Sequence, residues 1–379
     1  MKKALYFSDL DIDLKNGIGL VLRSHYKMLQ EIYGDNILKV IIANKKTANK
    51  DTYYLNPSKQ SEKVVSVLKG YAPLISKKNV DFLCDLVKRN NVEVVFIENS
   101  MQGHLIKAIK RKAPNVKVVA FFTDIEADLL KQEMQTASIK RKIICRLLIR
   151  NEKETVKYAD KYFVLNLRDK QKLNEYYDAV PDEVIPIIIP DNSTKLNNEK
   201  KHYKGEKLEA LFVGGDFWPN VKGIKCFIQE VMPKIEKNLN LKIVGLDMEK
   251  HKREFESLSP NVEVIGTVQD LKPYYESTHI IIAPIRNGGG MKVKTAEALS
   301  YGKTFLGLEE SLVGYWEAVP EALKNNGIYL CKDADGFINN INKLYADEFV
   351  ICRADIEEFI YQLCSYSVNL DRFKKLFKF

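Results

Sequence analysis

The sequence predicts an α/β protein made of two Rossmann-like, parallel-sheet domains that face each other across a cleft. Its 379 residues are long for one core, and 45% hydrophobic with 29% charged residues is a globular composition. Strand-sized apolar runs alternate with helical patterns in both halves, which is typical of parallel sheets covered by helices. A polar, turn-rich segment separates the halves and reads as a linker.

The first domain is predicted over residues 1–190. Its strand candidates are the apolar runs at 4–8, 37–43, 92–97, 116–122, 161–165 and 184–189. The loop after the first run contains Gly17 and Gly19, which permit close approach of a ligand to the backbone, and a helix is expected to follow through Ile32. Ligands of open parallel sheets bind beyond the carboxyl ends of the strands, so functional residues are expected in the loops that follow strands.

The second domain is predicted over residues 207–352, after a linker at 191–206. Its strand candidates lie at 208–213, 241–244, 262–265, 280–284, 304–306 and 327–331. Residues 353–379 are predicted to be helical. Two such domains make a cleft between their strand ends, which is the expected place for a ligand.

Composition excludes several classes of protein. The apolar runs are too short to span a membrane, and no secretory signal precedes the first strand, so a cytoplasmic location is expected. The six cysteines lack a CxxC pair or neighbouring histidines, so neither a zinc site nor a disulfide framework is expected.

The acidic loop after the first strand fits neither of two known motifs. Asp11 and Asp13 have the spacing of calcium ligands, but Leu20 stands where an EF-hand needs a glutamate. Leu22, three residues after Gly19, breaks the glycine pattern of a dinucleotide-binding loop. No metal site and no cofactor are expected.

The formal net charge of +9 is concentrated in one segment, since residues 101–150 carry 11 basic and 4 acidic side chains. Within it, residues 138–153 predict an amphipathic helix with Ile139, Ile143 and Leu147 along one side and basic residues beside them. Such a helix suits an anionic membrane surface at the inner face of the membrane, or a core-packed helix with a solvated basic face. Nucleic acid is not an expected partner, because no recognised binding module accompanies the charge.

The segment 283–302 carries the strongest chemical signal. Gly288, Gly289 and Gly290 lie between a buried strand and a helix that is predicted to begin near Met291. Helix N-terminal amides and glycine backbone suit a diphosphate, and two basic side chains and a carboxylate follow. The carboxylate can accept hydrogen bonds from two ribose hydroxyls. These three side chains are Lys292, Lys294 and Glu297.

Three blocks of sequence resemble bacterial glycosyltransferases of the GT-B fold, most of all family 4 (group 1) enzymes of surface polysaccharide synthesis. Residues 288–302 resemble the donor-binding GxxxKxxEAxxxG signature, and residues 212–233 resemble the "FVG…PN…G…F…P" opening of the donor domain. Residues 121–126, with 158–161 and 165–169, resemble an acceptor-domain pattern that reads HNVE in many relatives.

Carried over residue by residue, the resemblance implies that Lys294 contacts the donor diphosphate and Glu297 the ribose. Lys292 replaces a second basic residue, Lys222 belongs to a phosphate-contacting Lys-Gly pair, and Val268 lies where relatives hold the nucleotide base. Close approach of backbone to the donor is expected at Gly17, Gly215, Gly289 and Gly290. The last helices are expected to brace the first domain.

The implied activity is that of a hexosyltransferase-type enzyme. A sugar would move from a nucleotide-diphosphate sugar, expected to be a UDP-sugar, to a glycan or lipid-linked acceptor, with retention of configuration and without metal. Two alternatives remain: a catalytically degenerate GT-B subunit that partners an active transferase, and, third, a sugar-nucleotide epimerase.

The sequence departs from the family pattern at two places. Gly289 stands where many relatives have a glutamate, and Thr123-Asp124 replaces His-Asn. Asp124 is therefore one catalytic candidate. The others are His104, otherwise a surface histidine at a helix start, and Glu98, otherwise a solvated loop residue.

Overall fold

The computed structural model describes residues 3–14, 16–45, 51–191, 202–203, 207–235, 238–346, 349–350 and 353–379. The chain divides into two compact units. Unit 1 contains Met1–Ile188 and Asn369–Phe379, and unit 2 contains Ile189–Val368.

Unit 1 is built on a parallel sheet, which has seven strands among the described residues, in the order β3-β2-β1-β4-β5-β6-β7. The strands are β1 (Lys3–Ser8), β2 (Ile37–Ile42), β3 (Thr52–Leu55), β4 (Val92–Ile97), β5 (Lys117–Phe122), β6 (Lys161–Val164) and β7 (Glu183–Val184). Its central strands are buried on both faces, because helices cover both sides of the sheet. The helices are α1 (Gly17–Tyr33), α2 (Gln60–Leu68), α3 (Lys77–Arg89), α4 (Gly103–Lys112), α5 (Glu126–Thr136), α6 (Ile139–Tyr158) and α7 (Leu167–Tyr177).

The prediction of a strand at 184–189 is largely wrong. Only Glu183–Val184 pairs with β6, because Pro186 has no N–H to continue the ladder, and the apolar residues beyond it are buried outside the sheet. The structure also adds β3, which extends the sheet beyond β2 at its edge.

Unit 2 repeats the architecture. Its parallel sheet, with six strands in the described ranges, has the order β11-β10-β9-β12-β13-β14, and β8 and β15 form a separate antiparallel pair. The strands are β8 (His202–Tyr203), β9 (Lys207–Val213), β10 (Asn238–Val244), β11 (Val262–Gly266), β12 (Ile280–Ala283), β13 (Thr304–Leu308), β14 (Ile328–Cys331) and β15 (Phe349–Val350). The helices are α8 (Trp218–Cys226), α9 (Lys252–Leu258), α10 (Lys272–Ser277), α11 (Val293–Ser300), α12 (Glu309–Leu312), α13 (Ala334–Ala346) and α14 (Ala354–Cys364).

The segments that join the units differ from expectation in their extent. Most of the linker expected at 191–206 lies outside the described residues, but Ile189 already belongs to unit 2, where its N–H donates to Cys364. The C-terminal region is helical as predicted, as α14 and α15 (Tyr366–Lys375). The expected brace is shorter than 353–379, because α14 packs on α11 of unit 2 and only 369–379 belongs to unit 1.

The predicted amphipathic helix forms the first part of α6. Leu148 and Cys145 are buried, whereas Ile139 is 81% exposed and Ile143 is 45% exposed. Among the described helices, none is both long enough and apolar enough to cross a membrane.

Candidate functional site

The glycine-rich loop of unit 2 joins β12 to α11. The helix begins at Val293 rather than near Met291, and Lys292 is its N-cap residue. Gly288 has φ 153° and Gly290 has φ 55°, backbone conformations that residues with a side chain rarely adopt. Because a helix that follows a parallel strand runs back along it, the N-terminal amides of α11 lie at the carboxyl edge of the sheet.

Lys292 holds this loop in shape. Its Nζ donates to the carbonyl oxygens of Gly289 at 2.9 Å and Gly290 at 2.8 Å, and it pairs with Glu310 Oε1 at 2.8 Å. An ammonium group has three donors, so all of them are used within the protein. A contact between Lys292 and a diphosphate, as the sequence leads us to expect, would require it to leave these acceptors.

The segment after β13 fixes the loop from the other side. Ser311 Oγ donates to the Ala283 carbonyl at 2.5 Å, and Thr295 Oγ1 donates to the Ser311 carbonyl at 2.8 Å. Tyr315 donates its hydroxyl to the Lys292 carbonyl at 2.9 Å. The loop backbone is therefore organised before any ligand binds.

Lys294 lies in the first turn of α11 and is largely removed from water. Its Nζ donates to Asn220 Oδ1 at 2.7 Å and lies 5.3 Å from the centre of the Phe212 ring. The Asn220 amide is itself oriented by a 3.0 Å bond to the Gly215 carbonyl. Burial, with the charge of Lys292 adding to it, lowers the pKa of Lys294 to about 7. The charge of Lys294 therefore depends on pH in the neutral range.

Helix α8 approaches this loop so closely that one position requires glycine. A Cβ on Gly223 would lie 2.3 Å from the Pro284 carbonyl oxygen. The neighbouring Lys222 is exposed. Gly215 follows β9, where a Cβ would lie 3.2 Å from the Leu246 carbonyl oxygen. Both glycines thus serve close packing at the edge that also holds Lys294.

Glu297 lies one turn further along α11 and is half-buried. The Tyr275 hydroxyl donates to its Oε2 at 3.4 Å, and the ring of Tyr275 stacks on Tyr301 at 4.7 Å between centres. Burial raises the pKa of Glu297. Val268 follows β11 and is also half-buried. Its strand is three places from β12 in the sheet, roughly 14 Å away, so the two regions belong to separate parts of one edge.

In unit 1, the carboxyl edge carries a set of acidic and amide side chains. Asp9 follows β1, and its Oδ2 accepts from Asn99 Nδ2 at 3.2 Å and from Gln102 Nε2 at 2.9 Å. Burial raises the pKa of Asp9, although both bonds oppose the shift. Gly17 is the first residue of α1, whose N-cap is the Asn16 side chain.

Glu98 is not the solvated loop residue that the sequence allowed, because it is buried. It follows β4 and is 4% exposed, and its Oε2 lies 3.0 Å from Nδ1 of the fully buried His25. Phe96, Phe121 and Phe373 surround the His25 ring. Burial raises the pKa of Glu98, and His25 opposes the rise. Catalysis by Glu98 would require this pair to open.

The other catalytic candidates keep some exposure. His104 is half-buried in the first turn of α4, where its N–H donates to Asn151 Oδ1 at 2.7 Å and its ring lies 4.2 Å from that of Tyr71. Burial lowers the pKa of His104, so it is neutral at neutral pH. Asp124 is half-buried in the loop between β5 and α5, and Thr123 beside it is exposed.

Glu126 is an acidic residue to which the sequence assigned no role. It is half-buried at the start of α5. Burial, with the nearby charges of Glu152 and Asp9, raises its pKa to about 7. The fully buried Glu152 accepts from the N–H groups of Glu126 at 3.0 Å and Ala127 at 2.9 Å. Glu126 can therefore take up and release a proton near neutral pH.

Two further residues were missed, although the motif that contains the first was visible. Asn220 is the asparagine of the PN pair that opens the second domain, and it positions Lys294. Glu310 follows β13 and pairs with Lys292. Within the described ranges, no three His, Cys, Asp or Glu side chains are grouped as a metal site.

Comparison with known families finds a match within unit 2. Residues 207–347 match the family model described as glycosyl transferases group 1. Over these residues, unit 2 is similar to group 1 glycosyltransferases. Its match spans β9 through α13 and includes the glycine-rich loop, Asn220 and Lys294. Among curated protein sequences, none matches this chain.

Several solved structures share the fold of this chain over nearly all of its residues. Sucrose-phosphate synthase from Thermosynechococcus elongatus has a TM-score of 0.72 at 15% identity, over 100% of this chain and 98% of that chain. HepE from Anabaena, in complex with UDP and glucose, has a TM-score of 0.68 at 12% identity, over 100% of both chains. Trehalose 6-phosphate synthase from Burkholderia multivorans has a TM-score of 0.65 at 11% identity, over 99% and 98%. The predicted GT-B fold is confirmed.

Proposed function

We propose that the protein transfers a hexose from a nucleotide-diphosphate sugar, a UDP-sugar, to a hydroxyl of a glycan or lipid-linked acceptor, with retention of configuration and without a metal ion. The observation that carries the proposal is Lys294, held by Asn220 in the first turn of α11 beside a preorganised glycine loop. The binding of UDP and glucose by HepE, which has the same fold, supports the choice of donor.

The reaction needs positive charge where the leaving group develops negative charge. When the bond between the sugar and the diphosphate breaks, electrons remain on the phosphate oxygen. Lys294 and the amides at the N-terminus of α11 would stabilise that charge, so the enzyme does not require a cation from solution for this step. Because the loop is already held by Lys292, Ser311 and Tyr315, little reorganisation is needed when the transition state forms.

The remaining donor contacts follow from the positions of the other residues. Glu297 is half-buried and lies three residues after Lys294 on α11. It would accept hydrogen bonds from the ribose hydroxyls. Val268 would contact the nucleotide base at the end of β11. On the acceptor side, Asp124 and Glu126 are the acidic groups we assign to the proton that the acceptor hydroxyl loses.

The decisive experiment is sugar release from a panel of UDP-, GDP-, dTDP- and CMP-sugars, with nucleotide affinity measured in parallel. Lys294→Ala should abolish release and weaken nucleotide binding by about 10- to 100-fold, since a charge-assisted contact to phosphate is lost. Lys343→Ala removes an exposed lysine of the same unit and should leave both unchanged.

The outcomes separate the proposal from its alternatives. Turnover of one donor that is lost in Lys294→Ala supports transfer and names the sugar. Conversion of the donor to an isomeric nucleotide sugar, without an acceptor, would instead identify an epimerase. Nucleotide binding without turnover for any donor and acceptor would indicate a degenerate subunit, and absence of binding would overturn the site.

A further inference from the structure

A cavity lies within unit 1, and none of its lining residues is among those assigned to the donor. It has a volume of about 550 Å³ and is lined by α2, the segment that follows it, the first turns of α3 and one side of α4. All of its lining residues fall between positions 61 and 112. This volume is in the range of cavities that hold small molecules.

The lining is strongly basic. Six cationic side chains face the cavity against two carboxylates, those of Glu62 and Asp81. The cations are Lys69, Lys77, Lys78, Lys107, Arg111 and Lys112.

Most of this positive charge is not neutralised by the protein. Lys107 pairs with Glu154 at 2.9 Å and Lys112 pairs with Asp81 at 3.1 Å. The other four cations have no ion-pair partner within the part of the chain that the structure describes. Glu62 is already engaged, since its Oε2 accepts from the Lys59 N–H at 2.7 Å. An anionic ligand would therefore find unpaired cations around a preformed cavity.

One end of the cavity is aromatic. Tyr71 and His104 both line it, with ring centres 4.2 Å apart. His104 lies in the first turn of α4, the helix that follows β4, so this end lies at the edge of the sheet where ligands of parallel sheets bind. A flat aromatic surface with polar tips is suited to the face of a sugar ring.

The helix that forms one wall is exposed on its apolar side. None of the residues of α2 is buried, and Leu68 is 81% exposed. Val65 lines the cavity itself. The cavity mouth therefore combines cations with apolar side chains, which suits a polar head group that is carried either in solution or on a lipid.

We propose that this cavity binds the anionic part of the acceptor, a saccharide that bears a phosphate or carboxylate group. The anion contacts Lys77, Lys78 and Arg111, and the sugar ring lies against Tyr71. The assignment of this ligand as the acceptor rests on the proposed transfer activity. The proposal that the cavity binds an anionic saccharide does not depend on that activity.

Lysine labelling of the full-length protein, read by mass spectrometry, tests the site directly. Millimolar glucose 1-phosphate is the probe, and glucose is its neutral control. The probe should slow acetylation of Lys77 and Lys69 severalfold, because the bound anion keeps the amines charged and covered. Lys88, exposed on the same helix α3 but outside the cavity, should be labelled at an unchanged rate.

Two charge-matched variants provide the controls. Lys78→Glu with Arg111→Glu should abolish the protection, whereas Lys88→Glu with Arg89→Glu changes the net charge equally and should retain it. All four side chains are exposed, so folding should not be affected. Equal protection by glucose, protection that persists in the first pair, or no protection in the wild-type protein would overturn the proposal.

Vesicles distinguish the two sources of the anion. The vesicles consist of phosphatidylcholine with phosphatidylglycerol. If they protect Lys77, and Leu68→Ser reduces that protection, the anion is carried on a lipid. If only the sugar phosphate protects Lys77, the anion is soluble. UDP affinity is measured in every variant. If UDP does not bind but glucose 1-phosphate protects Lys77, the proposed transfer activity is contradicted and the anion site is supported. If UDP binds but glucose 1-phosphate gives no protection, the anion site is contradicted and the proposed transfer activity is not.

Discussion

Lys294 is placed where its environment, rather than its residue type, determines its charge. In the absence of ligand, burial brings its pKa to about 7, far below that of an exposed lysine. Among the residues that the structure describes, its polar partner is the neutral amide oxygen of Asn220. A bound diphosphate would favour the charged form, so ligand binding and protonation should be coupled.

Nucleotide affinity should therefore fall as the pH rises through about 7. The protonated form binds, so affinity is fully present below the pKa of the free protein and declines by up to about tenfold per pH unit above it, until the raised pKa of the complex is reached. Calorimetry with UDP between pH about 6 and about 9, in two buffers of different ionisation enthalpy, should also detect proton uptake on binding.

Lys294→Gln is the control for this pH dependence. It keeps a hydrogen-bonding side chain but cannot titrate, so any change that remains must come from UDP itself or from other groups. An identical pH profile in the variant and the wild-type protein would contradict the assignment of the titration to Lys294.

Some of the site could be predicted from residue types, and some could not. The roles of Lys294 and Glu297 remain predictions, but both side chains lie where the motif places them, because the spacing within one helix turn fixes their relation. Lys292 is also a lysine, but its ammonium group is occupied by the loop and by Glu310. That pairing could not be predicted, because Glu310 follows a different strand. The burial of Glu98 could not be predicted for a similar reason: its partner His25 lies on another element, 73 residues away in sequence.

The contact between α8 and the loop after β12 makes the two elements dependent on each other. A Cβ at Gly223 would lie 2.3 Å from the Pro284 oxygen, so an added methyl group forces α8 away from the loop. Helix α8 also carries Asn220, which orients Lys294. A change at Gly223 should therefore also displace Asn220 and the Lys294 side chain that it orients.

Gly223→Ala should lower the stability of unit 2 by about 1–3 kcal/mol and weaken UDP binding. Gly336→Ala is the matched control, because its Cβ would meet nothing closer than 3.4 Å within α13, and alanine favours a helix by up to about 1 kcal/mol. Thermal unfolding and UDP titration measure both effects. Equal behaviour of the two variants would show that α8 can move without cost.

Helix α6 presents two exposed isoleucines among basic side chains. Ile139→Ser with Ile143→Ser should reduce binding to vesicles that contain anionic lipid, because both side chains are exposed and their insertion would contribute buried apolar area. Val180→Ser, at a 61% exposed position of the same unit, is the control and should have no effect. Unchanged vesicle binding in the α6 variant would assign that helix a solvated basic face instead.

The strands show why local sequence predicts elements well and their ends less well. Continuous apolar runs correctly indicated the buried central strands, because such strands are covered on both faces. The edge strand β3 was missed, since Thr52–Leu55 is short and only partly buried. The run at 184–189 was assigned as strand because it is apolar, whereas Pro186 ends the ladder.

The division of the chain into two units was predicted in outline. The point in the C-terminal helices at which the chain returns from unit 2 to unit 1 was not predicted. Each half builds its own sheet and its own hydrophobic core, which the repeated strand and helix pattern indicated. The assignment of α14 to unit 2 depends on packing against α11, and the amphipathic pattern of a helix does not name its partner.

Residues 369–379 should be necessary for the stability of unit 1. Phe373 is fully buried and its ring stacks on His25 at 5.6 Å between centres. Phe373→Ala should cost about 3–5 kcal/mol. Both tryptophans, Trp218 and Trp316, lie in unit 2, so tryptophan fluorescence follows that unit while circular dichroism also reports unit 1.

In urea unfolding, the variant should shift the transition seen by circular dichroism and leave the fluorescence transition in place. Phe379→Ala, at a position that is 45% exposed, should change stability by less than about 1 kcal/mol. A shift of both transitions together in Phe373→Ala would mean that the units unfold cooperatively.

The separation of unit 1 into two stretches of sequence has a consequence for biosynthesis. Phe373 completes the aromatic surroundings of His25, but the ribosome makes it only after all of unit 2. Unit 2 contains its complete sheet in one continuous stretch and can fold as soon as that stretch leaves the ribosome. During translation, the later half of the chain should therefore reach its final form before the earlier half, which has to wait with an open gap in its core for the last segment to emerge.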